Sequence, residues 1–155
     1  MKRIISLVLV LSLVLGMFPA TFAAEKMTAG EQLKEYGLIQ GSGGDLNEDG
    51  TITRAEMMVV LSRLLKVEDE AKAFELGGVF TDAEGHWAAN YINYAAANKW
   101  TSGKTATTFA PNEKVTKQQA YTFILRGLGY ENVWATAIEK AEELKIDTAF
   151  GDTDA

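Results

Sequence analysis

The chain repeats itself, and that restricts its possible folds more than any other feature. One copy, GLIQGSGGDLNEDGTITRAEMMVVLSRLL, runs from Gly37 to Leu65; a second, KWTSGKTATTFAPNEKVTKQQAYTFILRGL, runs from Lys99 to Leu128. Leu38 matches Trp100 and Gly41 matches Gly103 at an offset of 62 residues. Ile52, Thr53, Arg54 and Glu56 match Val115, Thr116, Lys117 and Gln119 at an offset of 63. The extra residue falls in the loop between, where insertions are tolerated. A half-copy follows: Trp87-Ala88, thirteen residues before Trp100, is echoed by Trp134-Ala135, twelve before Ile146. The unit is a helix, a glycine-marked loop and a capped helix, and the last copy stops after its first helix. With only two prolines and apolar patterns of helix length, the chain is expected to be all-α.

Each second helix announces its start. Thr53-x-x-Glu56 and Thr116-x-x-Gln119 are capping boxes, in which the Thr hydroxyl accepts from the third amide and the Glu or Gln side chain reaches back. Behind them Met57, Val60, Leu61 and Leu64, and Tyr121, Ile124, Leu125 and Leu128, fall at i, i+3, i+4 and i+7, one apolar stripe per helix. Arg54 and Lys117 then stand at helix N-termini, where a cation opposes the helix dipole by some tenths of a kcal/mol. Such a residue either serves a ligand or is a solvated surface charge.

Ahead of the repeats, Lys2 and Arg3 precede an uncharged run from Ile4 to Phe18, broken by Pro19 and followed by Thr21-Phe22-Ala23. This fits a secretory signal peptide over residues 1–23, cleaved after Ala23 or Ala24; an uncleaved N-terminal anchor is the other reading, for which the run is short. Cleavage removes two of the 15 basic residues and no acid, leaving 13 against 21 and a net charge of −8. That sign argues against nucleic acid as a partner, and no membrane contact is expected after cleavage. Any anionic ligand would have to be held by a few placed cations. Without cysteine there is neither a disulfide framework nor a thiolate metal site.

From Phe80 to Tyr130 the pattern becomes specific: Phe80-x-Asp82, His86-Trp87-Ala88, Tyr91-Ile92, Gly103, Phe109-Ala-Pro-Asn112 and Val115 to Gln119, with the earlier copy carrying ITRAE at Ile52 to Glu56. This series resembles the S-layer homology (SLH) family and extends from Leu33 to about Ile146. The resemblance implies helix-loop-helix repeats set around a pseudo-threefold axis. It divides the mature chain into a first copy over 24–79 with a degenerate first helix, a second over 80–130 and the start of a third over 131–155. It also implies a secreted, non-catalytic module at the bacterial cell wall, whose grooves between copies bind secondary cell-wall polymer, a peptidoglycan-linked glycan that is often pyruvylated. Carried over position by position, Arg54 would grip the anion, Trp87 would form an aromatic wall and Gly103 would allow close backbone approach; Lys117 and Trp134 would serve a second groove. An Arg fork suits a carboxylate and a Trp face suits a sugar ring. Lys117 and Gln119 depart from the family's Arg and Glu, and the third copy lacks its Thr-Arg-Ala-Glu half. The bundle is therefore expected to be an incomplete pseudo-threefold one with one equipped groove, and the chain to self-associate or to gain stability from a C-terminal extension. Arg54→Ala is expected to spare the melting temperature, since the capping box keeps Thr53 and Glu56.

No cofactor is expected, with one alternative. Asp45, Asn47, Asp49, Thr51 and Glu56 occupy oxygen-ligand positions of a twelve-residue EF-hand loop with Gly50 at its turn, as in calcium-binding, dockerin-like interaction modules. Against it, Gly41 to Gly44 interrupts the entering helix, and Glu56 already has capping to do. Enzyme chemistry finds little: His86 is the only histidine and has no nucleophile beside it. His86 is expected to order the start of the Trp87 helix, Asp82 and Glu84 to complement a helix dipole, and Met57, Met58, Trp100, Tyr121 and Phe123 to be core.

Overall fold

A computed structural model describes residues 27–41 and 50–146, so residues 1–23, Asp45, Asn47, Asp49 and residues 147–155 lie outside the described residues. The order is α1 (Ala29–Glu35), α2 (Arg54–Leu64), α3 (Glu68–Lys72), α4 (Ala89–Ala97), α5 (Lys117–Gly127) and α6 (Ala137–Glu143), with 3-10 turns at Thr81–Ala83 and Trp134–Thr136. The protein is all-α. Extended pairing among the described residues is confined to one antiparallel bridge, Thr53 with Lys114. None of these helices is long and apolar enough to cross a membrane.

Local chemistry at the helix ends accounts for three of the starts and five of the stops. Both expected capping boxes form, Thr53 with Glu56 and Thr116 with Gln119, and a third, Thr28 with Glu31, starts α1. Five helices share one way of stopping: a left-handed residue follows the helix, and the amide after it bonds back five residues. Those amides are Leu38 to Leu33 O, Val67 to Ser62 O, Trp100 to Ala95 O, Tyr130 to Leu125 O and Ile146 to Ala141 O, all between 2.8 and 2.9 Å. Gly37 and Gly129 take the left-handed position in two cases, and Lys66, Lys99 and Lys145 in the others. The matched Gly41 and Gly103 share a left-handed backbone, with φ of +72° and +75°.

α2 packs against α3, α4 and α5, α4 also against α3, and α5 against α6. That central place alters the expected stripe on α2. Met57 and Leu61 are buried as expected, but so are Met58, Val59 and Ser62, while Val60 is half-buried and Leu64 exposed. A helix enclosed by neighbours on more than one side buries more than one stripe. On α5, Tyr121, Ile124 and Leu125 are buried with Phe123, and Leu128 lies outside. α5 meets α2 closely at Gly127, where a Cβ would fall 2.9 Å from Leu65 Cδ1. Trp100 is core, edge-on to Tyr94 at 5.3 Å between ring centroids.

Candidate functional site

The loop from Phe109 to Val115, in the second copy, is built onto the start of α2 in the first. Two amides that the helix geometry leaves without intrahelical partners find carbonyls there: Arg54 N–H donates to Glu113 O (2.8 Å) and Ala55 N–H to Pro111 O (3.0 Å). Val115 N–H returns a bond to Ile52 O at 3.0 Å. Asp82 holds the other side of the loop, its two carboxylate oxygens accepting from Phe109 N–H (2.8 Å) and Ala110 N–H (2.7 Å). Burial pushes the Asp82 carboxyl upward, but these backbone bonds and the Arg54 charge outweigh it and hold it below the usual carboxylate range. Asp82 is therefore a loop cradle and not the helix-dipole partner expected from its place ahead of α4; Glu84 is exposed. Phe80 packs on Phe109 with ring centroids 5.7 Å apart. Gly103 makes that possible, because a Cβ there would strike the Phe80 ring and lie 2.5 and 2.7 Å from the carbonyl oxygens of Thr105 and Thr108. The protein's own atoms thus account for this glycine.

Arg54 sits at the centre of this junction and is only 2% exposed. Its Nε donates to Phe109 O at 2.8 Å, and its guanidinium carbon lies 4.6 Å from the Phe109 ring centroid and 5.3 Å from that of Phe123. Two ring faces can accept a planar cation, which is how an arginine comes to be buried at a helix start. Burial pushes its pKa down from the ordinary value, against the charges of Glu113 and Asp82. Its Nη2 is the single buried side-chain polar atom without a partner among the described residues. This geometry overturns the expectation that Arg54→Ala spares the melting temperature: the side chain ties two copies together.

Trp87 stands beside this junction and is 64% exposed. Its neighbour His86 accepts from Ala88 N–H at Nδ1 (3.2 Å), which orders the start of α4 and assigns the ring proton to Nε2, 3.1 Å from Asn112 Oδ1. Asn112 belongs to the same loop, so Trp87 is tied through His86 to the start of α2. Trp134, half exposed, lies near the start of α5: its carbonyl accepts from Gln118 Nε2 at 2.8 Å, next to Lys117. Lys117 is exposed, its ammonium 5.8 Å from the Tyr121 ring centroid. In the EF-hand alternative, Thr51 is exposed, and Glu56 Oε2 is engaged by Thr53 N–H (2.7 Å) and Thr53 Oγ1 (2.9 Å). Among the described residues no three His, Asp or Glu side chains gather as metal ligands.

What these features define is an all-α module in which the loop from Phe109 to Val115 caps the start of α2. Comparison with known families gives the class its name: residues 79–120 match the S-layer homology domain, and this chain is an S-layer homology protein of the bacterial cell surface. It is 34% identical over 164 residues to a surface layer protein of Brevibacillus choshinensis and 35% identical over 166 residues to a middle cell wall protein of Brevibacillus brevis. Both alignments cover 94% of this chain but only 15% and 16% of those relatives. An endoglucanase of a Bacillus species is 32% identical over 114 residues, covering 72% of this chain and 12% of that protein. No solved structure matches the chain.

Proposed function

We propose that this module is a non-catalytic anchor that binds a secondary, peptidoglycan-linked wall polysaccharide in the groove between its first and second copies. The observation that carries the reading is Arg54 Nη2, a charged donor buried without a protein partner among the described residues, at a junction to which the exposed Trp87 is tied through His86 and Asn112. Buried donors are almost always paired, and a water or a ligand oxygen that reaches the junction would satisfy this one. A carboxylate-bearing sugar, such as a pyruvylated one, supplies that oxygen, while the Trp87 face covers the apolar side of the ring. Gly103 contributes by letting Phe80 close on the loop. Lys117 and Trp134 are the corresponding pair at α5, where an exposed ammonium replaces the buried guanidinium fork, so that groove is the weaker. Trp134, Ile138 and Leu144 are exposed at 51%, 38% and 37%, an apolar set suited to self-association or to a C-terminal extension.

The test is titration of the mature chain with isolated pyruvylated polymer, followed by tryptophan fluorescence and calorimetry. Trp87→Ala should weaken binding by about tenfold, as aromatic anchors commonly do. Arg54→Lys keeps the charge without the fork and should also lose about tenfold or more. Unchanged affinity in both variants would remove the groove from consideration.

A further inference from the structure

The start of α4 depends on one side chain. It lacks the Thr cap that opens α1, α2 and α5, and His86 supplies acceptors in its place. The His86 carbonyl accepts from Ala89 N–H at 2.9 Å, and its Nδ1 accepts from Ala88 N–H at 3.2 Å. Ala88 is fully buried, so its amide has no water to turn to if the ring stops accepting. The same imidazole reaches Asn112 through Nε2, and the Trp87 ring lies 5.5 Å from it.

A neutral imidazole can hold both ties, because one nitrogen accepts while the other donates; an imidazolium has two donors and no acceptor. Protonation therefore sets N–H against N–H at Ala88, and turning the ring over offers only a C–H. It also places a cation where the α4 dipole is positive. Histidine is the side chain that ordinarily changes charge between pH 5 and 8, and His86 is the only one in the chain.

The charged groups on the surrounding segments do not restore the tie. Asp82 gives its oxygens to Phe109 and Ala110 N–H, and Glu113 gives both of its own to Lys104. Glu84, just ahead of His86, is exposed, where water and salt screen a carboxylate. Lys114 in the loop, Arg54 in the junction and Lys72, whose carbonyl holds Asn90 Nδ2 at 2.8 Å, are cations and oppose an imidazolium. α4 itself carries no charged residue. We infer that His86 is a pH-sensitive latch: neutral, it fixes Trp87 between the start of α4 and the Phe109–Val115 loop, and protonated in mild acid, it releases Trp87. The consequence for the wall, weaker retention in mild acid, rests on the reading that Trp87 lines the glycan groove.

The experiment follows the mature chain by amide and imidazole nitrogen NMR from pH 7.5 to 5.0 with no glycan present. Asp82, held below the usual carboxylate range, stays ionised over this window. A ring protonated at Nε2 alone is expected at pH 7.5, followed by one transition that moves His86, Trp87 and Ala88 together and lowers the protection of the Ala88 amide. His86→Asn keeps an acceptor for the amide two residues on but does not titrate, so its Trp87 and Ala88 shifts should stay level. Glu84→Gln should leave the transition in place. Shifts that stay level in the parent, follow the same course in His86→Asn, or vanish in Glu84→Gln overturn the latch. Calorimetry with isolated pyruvylated polymer then separates the latch from the groove. Affinity should be about tenfold weaker at pH 5.0 than at pH 7.5 in the parent and equal at both in His86→Asn. Polymer bound at neither pH contradicts the groove while the amide shifts decide the latch; equal affinity in the parent at both overturns the link between them.

Discussion

Arg54→Ala should destabilise the protein substantially, and the size of the effect follows from what the side chain touches. Losing a buried charged hydrogen bond to Phe109 O costs about 1.5–3 kcal/mol and strands that carbonyl. Losing the two ring contacts costs about 1–2 kcal/mol more in a desolvated setting. Release of a partly desolvated cation returns some of this, since burying charge is itself unfavourable. The net loss is about 2–4 kcal/mol, which for a domain of this size lowers Tm by about 8–15 °C. Arg54→Lys, which can still reach the carbonyl but cannot stack as a plane, should lose roughly half as much. Lys104→Ala is the control: its 2.6 Å pair with Glu113 is shorter than any Arg54 contact, yet 42% and 54% side-chain exposure makes it worth at most ~1 kcal/mol. Circular dichroism melts of the three variants decide the matter. Arg54→Ala melting within about 2 °C of the parent would refute the clamp, whatever happened to binding.

The Asp82 carboxyl is held below its usual range, so its contribution is present above about pH 4 and is lost as pH falls through the lowered folded value. Melts from pH 6 downward should show Asp82→Asn less stable than the parent at neutral pH but converging with it in acid; parallel curves would contradict the cradle. Gly103→Ala should cost at least about 2–3 kcal/mol, because a left-handed φ of +75° and two backbone carbonyls both resist the methyl; a normal melt and yield would be the contrary result. Chelation should leave the melting temperature within about 2 °C, since Glu56 already serves Thr53; a large fall on adding EDTA, with micromolar calcium affinity by calorimetry, would favour the EF-hand reading.

The starts of α2 and α5 were legible because capping is local: Thr53 and Glu56 are three residues apart and settle their own geometry, whereas α3, α4 and α6 begin without a side-chain cap. Helix stops were half legible. Gly37 and Gly129 advertise a left-handed residue, whereas Lys66, Lys99 and Lys145 take the same conformation without a glycine to mark it. The burial of Arg54 could not be read, because the residues that make it possible are distant along the chain; its hydrogen-bond partner Phe109 is 55 residues away. Phe80, Asp82 and Phe109 stood out as a pattern, but only tertiary packing shows that Asp82 holds the Phe109 loop. The single stripe expected on α2 failed for a related reason: periodicity reports one favoured face and says nothing of a helix enclosed by neighbours.

Co-sedimentation of the mature chain with purified sacculi, before and after extraction of their non-peptidoglycan polymer, tests the anchoring account most directly. The account predicts retention on intact sacculi, loss of retention after extraction, and no release of soluble wall fragments in either case. Equal retention on extracted sacculi, or fragments appearing in the supernatant, would contradict it.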